Sequence, residues 1–163
     1  MKLETIKVAD LTPDPANVRR HSRRNLDSIK ASLTRFGQVK PIVVDGKGVV
    51  IAGNGTLQAA IELGMTEIKA LRTKLVGAEA VAYAIADNRT AELAEWGEPE
   101  LAKMLSALAL EDEALLDAAG WSQAELDAMA LPEFKPVDVD VDGSDAQGDK
   151  RTVCPECGHE FSA

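Results

Sequence analysis

The sequence predicts an α+β fold, a small mixed sheet with helices followed by a C-terminal helical bundle. Three observations carry this. Two β-branched runs, Ile42-Val43-Val44 and Val49-Val50-Ile51, flank Asp45-Gly46-Lys47-Gly48, the signature of a hairpin. Directly after them, Gly53-Asn54-Gly55-Thr56 ends the strand, and from Leu57 the apolar spacing turns helical through Ala60, Ile61 and Gly64. Past residue 95 the pattern is helical alone, in three short amphipathic segments.

Taken in order, Lys2 to Val8 alternate enough for a short strand, with Leu3, Ile6 and Val8 as its apolar members. Residues Thr12 to Arg24 form a loop held extended by Pro13 and Pro15. Asn25 to Phe36 is a helix with Leu26, Ile29, Leu33 and Phe36 on one stripe, capped by Ser22 or Asn25 and stopped by Gly37. A strand is predicted at Glu67 to Arg72, then a long helix from Gly77 to about Ala94 whose buried side is Val81, Ala82 and Ile85. Three helices follow: Pro99 to Leu108, Glu111 to Ala119, and Ser122 to Leu131, the last opened by a Ser122/Glu125 capping box. Leu101, Met104, Leu105 and Leu108 form one stripe of this bundle, Leu126 and Met129 another.

Charge divides the chain. From Met1 to Leu75 thirteen Lys or Arg stand against seven Asp or Glu; from Val76 to Asp149 three stand against eighteen. Contact with DNA is therefore expected from the basic N-terminal half, and the acidic helices are expected to dock a protein partner instead. The would-be recognition helix Ser122 to Met129 carries two acids and no base, which argues against a major-groove reader. No stretch is long and apolar enough to span a membrane, and no signal peptide is evident at Met1, so a cytoplasmic protein is expected.

The expected organisation is a domain over residues 1–95, an acidic helical subdomain over 96–131, a disordered acidic linker over 132–150 and a tail over 151–163. The tail holds Cys154-Pro155-Glu156-Cys157-Gly158-His159, which is half of a zinc ribbon. Cys154 and Cys157, with His159 as a third ligand, fall short of four. Either a second copy of the chain completes a Zn²⁺ site, making a homodimer, or the site is vestigial, or the thiols oxidise.

Chemistry is expected where strand gives way to helix at Gly53, Asn54, Gly55 and Thr56. A glycine-punctuated helix start leaves bare backbone N–H groups, to which anions bind. Arg19 and Arg20 lie in the most basic segment of the chain, and arginine's planar fork matches phosphate oxygens. The polar trio Asp87-Asn88-Arg89 lies toward the end of an alanine-rich helix, where such residues usually face solvent but could face a site.

With these residues laid out, the stretch from about Ile6 to Asn88 resembles the ParB N-terminal domain family, whose fold is shared with sulfiredoxin. Leu11 to Arg19 is similar to the family's proline-rich first box ending in Asn and Arg. Phe36-Gly37-Gln38-Val39-Lys40-Pro41, running into Ile42, is similar to its helix end and next strand. Ile51 to Ala60 takes the place of the phosphate-binding motif, Gly-Glu-Arg-Arg in ParB proper, and Ala86-Asp87-Asn88 stands where ParB has a Glu-Asn pair associated with metal and triphosphate. Gly55 and Thr56 replace both motif arginines. Asn54 stands where sulfiredoxin has its catalytic cysteine, which excludes that reductase chemistry. The Asn-Gly-Thr version and the cysteine-bearing tail resemble ParB-like proteins of phages and mobile elements.

The resemblance implies a nucleoside triphosphate bound with Mg²⁺ near DNA, as a switch that binds or hydrolyses it. Gly53, Asn54, Gly55, Thr56, Arg19, Arg20 and Gln38 would bind the phosphates, and Asp87 and Asn88 would hold Mg²⁺. Arg19 and Asn88 are expected to converge on Asn54 to Thr56 across a cleft. The loss of two clamp arginines favours a different reading, a non-catalytic adaptor between DNA and a partner such as a methyltransferase. A metal-dependent nuclease is the third, with only Asp87, Asp45 and Glu62 to offer as ligands.

Overall fold

The computed structural model describes residues 1–130, 151–153 and 160–162. The linker predicted over 132–150, and Cys154, Cys157 and His159, lie outside the described residues. Residues Met1–Pro132 make one compact unit, so the acidic helices belong to the same body as the sheet.

A five-stranded mixed sheet organises that unit, in the order β1-β5-β3-β4-β2. Its strands are β1 (Lys2–Lys7), β2 (Thr12–Pro13), β3 (Ile42–Val44), β4 (Val49–Ala52) and β5 (Glu67–Arg72). β1 runs antiparallel to β5 and β3 to β4, whereas β3 lies parallel to β5 and β2 to β4. β2 exists because the chain passes β4 for just two residues, ending at Pro13, which is tolerated at a sheet edge. The hairpin turn is held by Asp45, whose carboxylate accepts from Lys47 and Val49 N–H at 2.8 Å each.

One face of the sheet carries α2 (Asn54–Glu62). Leu57 and Ala60 from the helix meet Ile42, Val44, Val50, Ile68 and Ala70 from the strands in a core closed by Leu11. The β-branched runs are buried without alternation, as central strands between layers are. α1 (Arg23–Phe36) packs beside α2 and is capped by Ser22, whose hydroxyl accepts from Asn25 N–H at 3.2 Å. Of its predicted stripe Leu26 is fully buried, while Phe36 is half exposed where the helix ends.

α3 (Gly77–Glu92) overturns an expectation. None of its residues is buried, and Val81 and Ile85 are 50% and 55% exposed. The helix touches β4 and the proline-rich loop across an open cleft, so its apolar side faces a groove in place of a core. The bundle is α4 (Glu98–Glu111), α5 (Glu113–Ala118) and α6 (Gln123–Ala130), around Leu105, Leu116 and Leu126 with Leu101, Trp121 and Met129 packed against them. Met104, placed on the same stripe by its spacing, is exposed. The Ser122/Glu125 capping box forms, with Ser122 N–H donating to the Glu125 carboxylate at 3.0 Å.

Beyond the compact unit, β6 (Arg151–Val153) and β7 (Glu160–Ser162) pair antiparallel. No described helix is long and apolar enough to cross a membrane.

Candidate functional site

The site begins with a glycine that any side chain would strain. Gly53 sits at φ 94°, and a Cβ there would come within 2.6 Å of Ile42 Cγ2 on the neighbouring strand. Strand β4 therefore turns at once into α2, and the helix opens at Asn54, earlier than its apolar spacing suggests. Leu57 N–H closes the first turn on Gly53 C=O at 3.0 Å. The donors left without an intrahelical partner are those of Asn54, Gly55 and Thr56. The Leu57 N–H is already committed.

Asn54 adds a brace. Its side-chain oxygen accepts from Asp14 N–H at 3.1 Å, and its amide donates to Val50 C=O at 3.0 Å. The proline-rich loop is thereby tied to the helix start. Within that loop Asp14 accepts from Ala16 N–H at 2.8 Å and Asn17 accepts from Arg19 N–H at 3.1 Å, while the Asn17 amide donates to Arg19 C=O. A chain of short polar side chains thus fixes where Arg19 leaves the backbone.

These elements enclose a cavity of about 210 Å³ lined by Arg19, Lys40, Gly53, Asn54, Gly55, Thr56, Asp87 and Asn88, with Asn17 and His21 at its side. The expected convergence of Arg19 and Asn88 on the first turn of α2 is present. Lys40 reaches across to Asp87 at 3.8 Å. Asn88 spends its amide on Ala84 C=O at 2.8 Å, which leaves its side-chain oxygen as the atom able to coordinate. Arg19 is ion-paired with Glu92 on α3, and that guanidinium holds the Glu92 carboxyl below the usual carboxylate range. A second cavity of about 290 Å³ shares Asn17, Arg19 and Asn88 and is walled by Val18, Val81 and Ile85.

Two residues of the predicted set lie elsewhere. Arg20 is exposed and does not line the cavity. Gln38 is bound to β5, its amide donating to Lys69 C=O at 2.8 Å and its oxygen accepting from Lys69 N–H. It serves as a staple between sheet and loop. Asp45 and Glu62 are also distant from the cavity, one in the hairpin turn and the other paired with Arg23 and Lys30. Sequence reasoning missed Lys40, Glu92 and His21: Lys40 stands in a family box but was given no role, and Glu92 and His21 are single residues without a motif, brought in by topology.

The basic half is less free than its charge count suggests. Arg24 pairs with Glu125, Arg35 with Asp112 at 2.8 Å, and Arg72 with Glu4 at 3.2 Å. The acidic bundle answers part of the α1 charge from within the chain.

A family model, the ParB N-terminal domain, matches residues 1–89. The chain belongs to the ParB N-terminal domain family. A curated relative, the ParB-like nuclease domain-containing protein YnaK of Escherichia coli (strain K12), is 32% identical over 68 residues, 42% of this chain and 78% of YnaK. Among solved structures, C-terminally truncated chromosome-partitioning protein ParB from Caulobacter crescentus, complexed with CTP-gamma-S, superposes at a TM-score of 0.68 with 20% identity. That match covers 82% of this chain and 81% of the other, so the ParB fold extends past the sheet into the acidic helices. Sulfiredoxin from Arabidopsis thaliana aligns over 52% of this chain and 98% of its own, with a TM-score of 0.44.

Proposed function

We propose that this ParB-family chain binds a nucleoside triphosphate with Mg²⁺ in the cleft between α2, the Arg19 loop and α3. The observation that carries the reading is the convergence of three open N–H groups, the Arg19 loop and the Asp87-Asn88 pair on one cavity. The N–H groups of Asn54, Gly55 and Thr56, with the Thr56 hydroxyl, would take phosphate oxygens at the positive end of the helix dipole. Arg19 and Lys40 would supply the neutralising charge that the replaced motif arginines do not.

Asp87 and Asn88 fit a magnesium ion whose other ligands are phosphate and water, because Mg²⁺ is commonly held by one or two carboxylates plus substrate oxygens. Bound there, the ion would neutralise phosphate charge. Among the described residues no group of three or more His, Cys, Asp or Glu could hold a metal unaided. Among the described residues Asp87 is the sole carboxylate lining the cavity, and we assign binding, not hydrolysis or nuclease chemistry, to the site.

Contact with DNA belongs to the same reading. Arg20, Lys7, Lys47 and Lys74 are exposed and have no ion-pair partner among the described residues, and they are the cations we assign to it. The setting would be the cytoplasm.

The test is calorimetric titration of the full chain with CTP, ATP and GTP in Mg²⁺, with the CTP-gamma-S complex of the Caulobacter structure suggesting the nucleotide to try first. Saturable binding that weakens in Thr56→Ala and Arg19→Ala supports the site. No binding of any triphosphate, with DNA or protein binding intact, supports the adaptor.

A further inference from the structure

The first turn of α2 is roofed by a side chain that no motif accounts for. A Cβ built on Gly55 would lie 2.6 Å from His21 Cε1, 2.8 Å from Nδ1 and 2.9 Å from Nε2. The imidazole therefore rests against the bare α-carbon of Gly55 at the edge of the cavity. Any side chain at position 55 would displace it. An arginine at that position, as the ParB motif has it, and this placement of His21 exclude each other.

We infer that His21 is a phosphate-contacting residue of this cleft and supplies, from the neighbouring loop, the side-chain donor that Gly55 lacks. The inference rests on the nucleotide reading above. His21 precedes Ser22, the cap of α1, so its ring lies between the starts of two helices, where an anion is favoured and a cation alone is not. Its Nδ1 is 2.7 Å from Asn25 Oδ1. An amide satisfies Nδ1 either way: its oxygen accepts from Nδ1–H, or, turned over, its NH₂ donates to a bare Nδ1. In the second arrangement Nε2–H is the donor left for a phosphate oxygen, and no change of charge is needed. Arg19 and Lys40 line the same cavity, so the imidazole, with the open N–H groups of α2, completes a set of donors drawn from three segments.

The experiment exchanges the donor between the two positions in the full chain and titrates CTP with Mg²⁺. His21→Ala is expected to weaken binding roughly tenfold, the loss of one hydrogen bond to a charged group. Gly55→Arg alone is expected to lose binding or stability because its Cβ meets the ring. The double variant His21→Ala/Gly55→Arg should recover affinity, with arginine now reaching from the helix. The chain has two histidines, so the His21 ring signal is assigned by His21→Gln and should shift on CTP addition. Wild-type affinity in His21→Ala, or a ring signal unmoved at CTP saturation, would overturn the inference while leaving the cleft as a nucleotide site. Absence of CTP, ATP and GTP binding in the wild type would instead sink the reading on which it stands.

Discussion

Arg19 and Glu92 form an ion pair across the mouth of the cleft, joining the proline-rich loop to the last turn of α3. The guanidinium thus already holds an anionic partner before any ligand arrives. On the proposed reading a triphosphate would take Arg19 from Glu92, and the carboxylate would act as a competitor built into the chain. Glu92→Gln should tighten CTP binding, by roughly two- to fivefold given the modest worth of exposed pairs. Calorimetry on that variant checks it, and weaker binding would show that Glu92 positions Arg19 instead of restraining it.

Asn54 predicts a coupled loss. Asn54→Ala strands Asp14 N–H and Val50 C=O, both part-buried, which should lower stability by about 1–3 kcal/mol. Because the same bonds anchor the Arg19 loop, nucleotide affinity should fall with it. Thermal melts and titrations on one preparation would separate the two effects. A stable variant with normal affinity would mean the loop is held by other contacts.

At Gly53 the cost is geometric. Gly53→Ala must place a Cβ 2.6 Å from Ile42 Cγ2 at φ 94°, so a loss of roughly 1–3 kcal/mol is expected in urea unfolding. Leu57→Ala, in the fully buried core beneath, should cost about 2–5 kcal/mol and serves as the reference for a plain cavity.

Acid should leave the bundle attached to α1 longer than ordinary carboxylates would. Arg24, helped by Ser122, lowers the Glu125 carboxyl from 4.5 to about 2. A carboxyl depressed in the folded state contributes fully above its unfolded value, and that contribution disappears as pH falls through the folded one. The Arg24–Glu125 contact should therefore persist at pH 4 and fail toward pH 2. Fluorescence of Trp121, packed in the bundle core, would follow it; in Glu125→Gln this acid-dependent change should vanish.

Much of this architecture was legible because the hydrophobic pattern and the glycines speak locally. Ile42 to Ile51 specify a hairpin, and Glu67 to Arg72 a strand, whatever surrounds them. Val81 and Ile85 misled because spacing reveals which residues share a helix face but not whether anything covers it. The first turn of α2 was visible as a glycine-punctuated helix start from Gly53 to Thr56. Its neighbours were only partly so: Arg19 and Asp87-Asn88 stand in recognisable boxes, whereas Glu92 and His21 reach the cleft through tertiary placement alone. Charge counting likewise overstated the open basic surface, since Arg24 and Arg35 meet their acids only when the bundle folds back on α1.

The most direct test follows backbone amides by NMR as CTP and Mg²⁺ are added. If phosphates sit on the first turn of α2, the N–H signals of Asn54, Gly55 and Thr56 should shift saturably, and those at the far end of the same helix, around Ile61 and Glu62, should not. The Arg19 side-chain signal should move in step. Unchanged amides at Asn54 to Thr56 while CTP binds elsewhere would contradict the account.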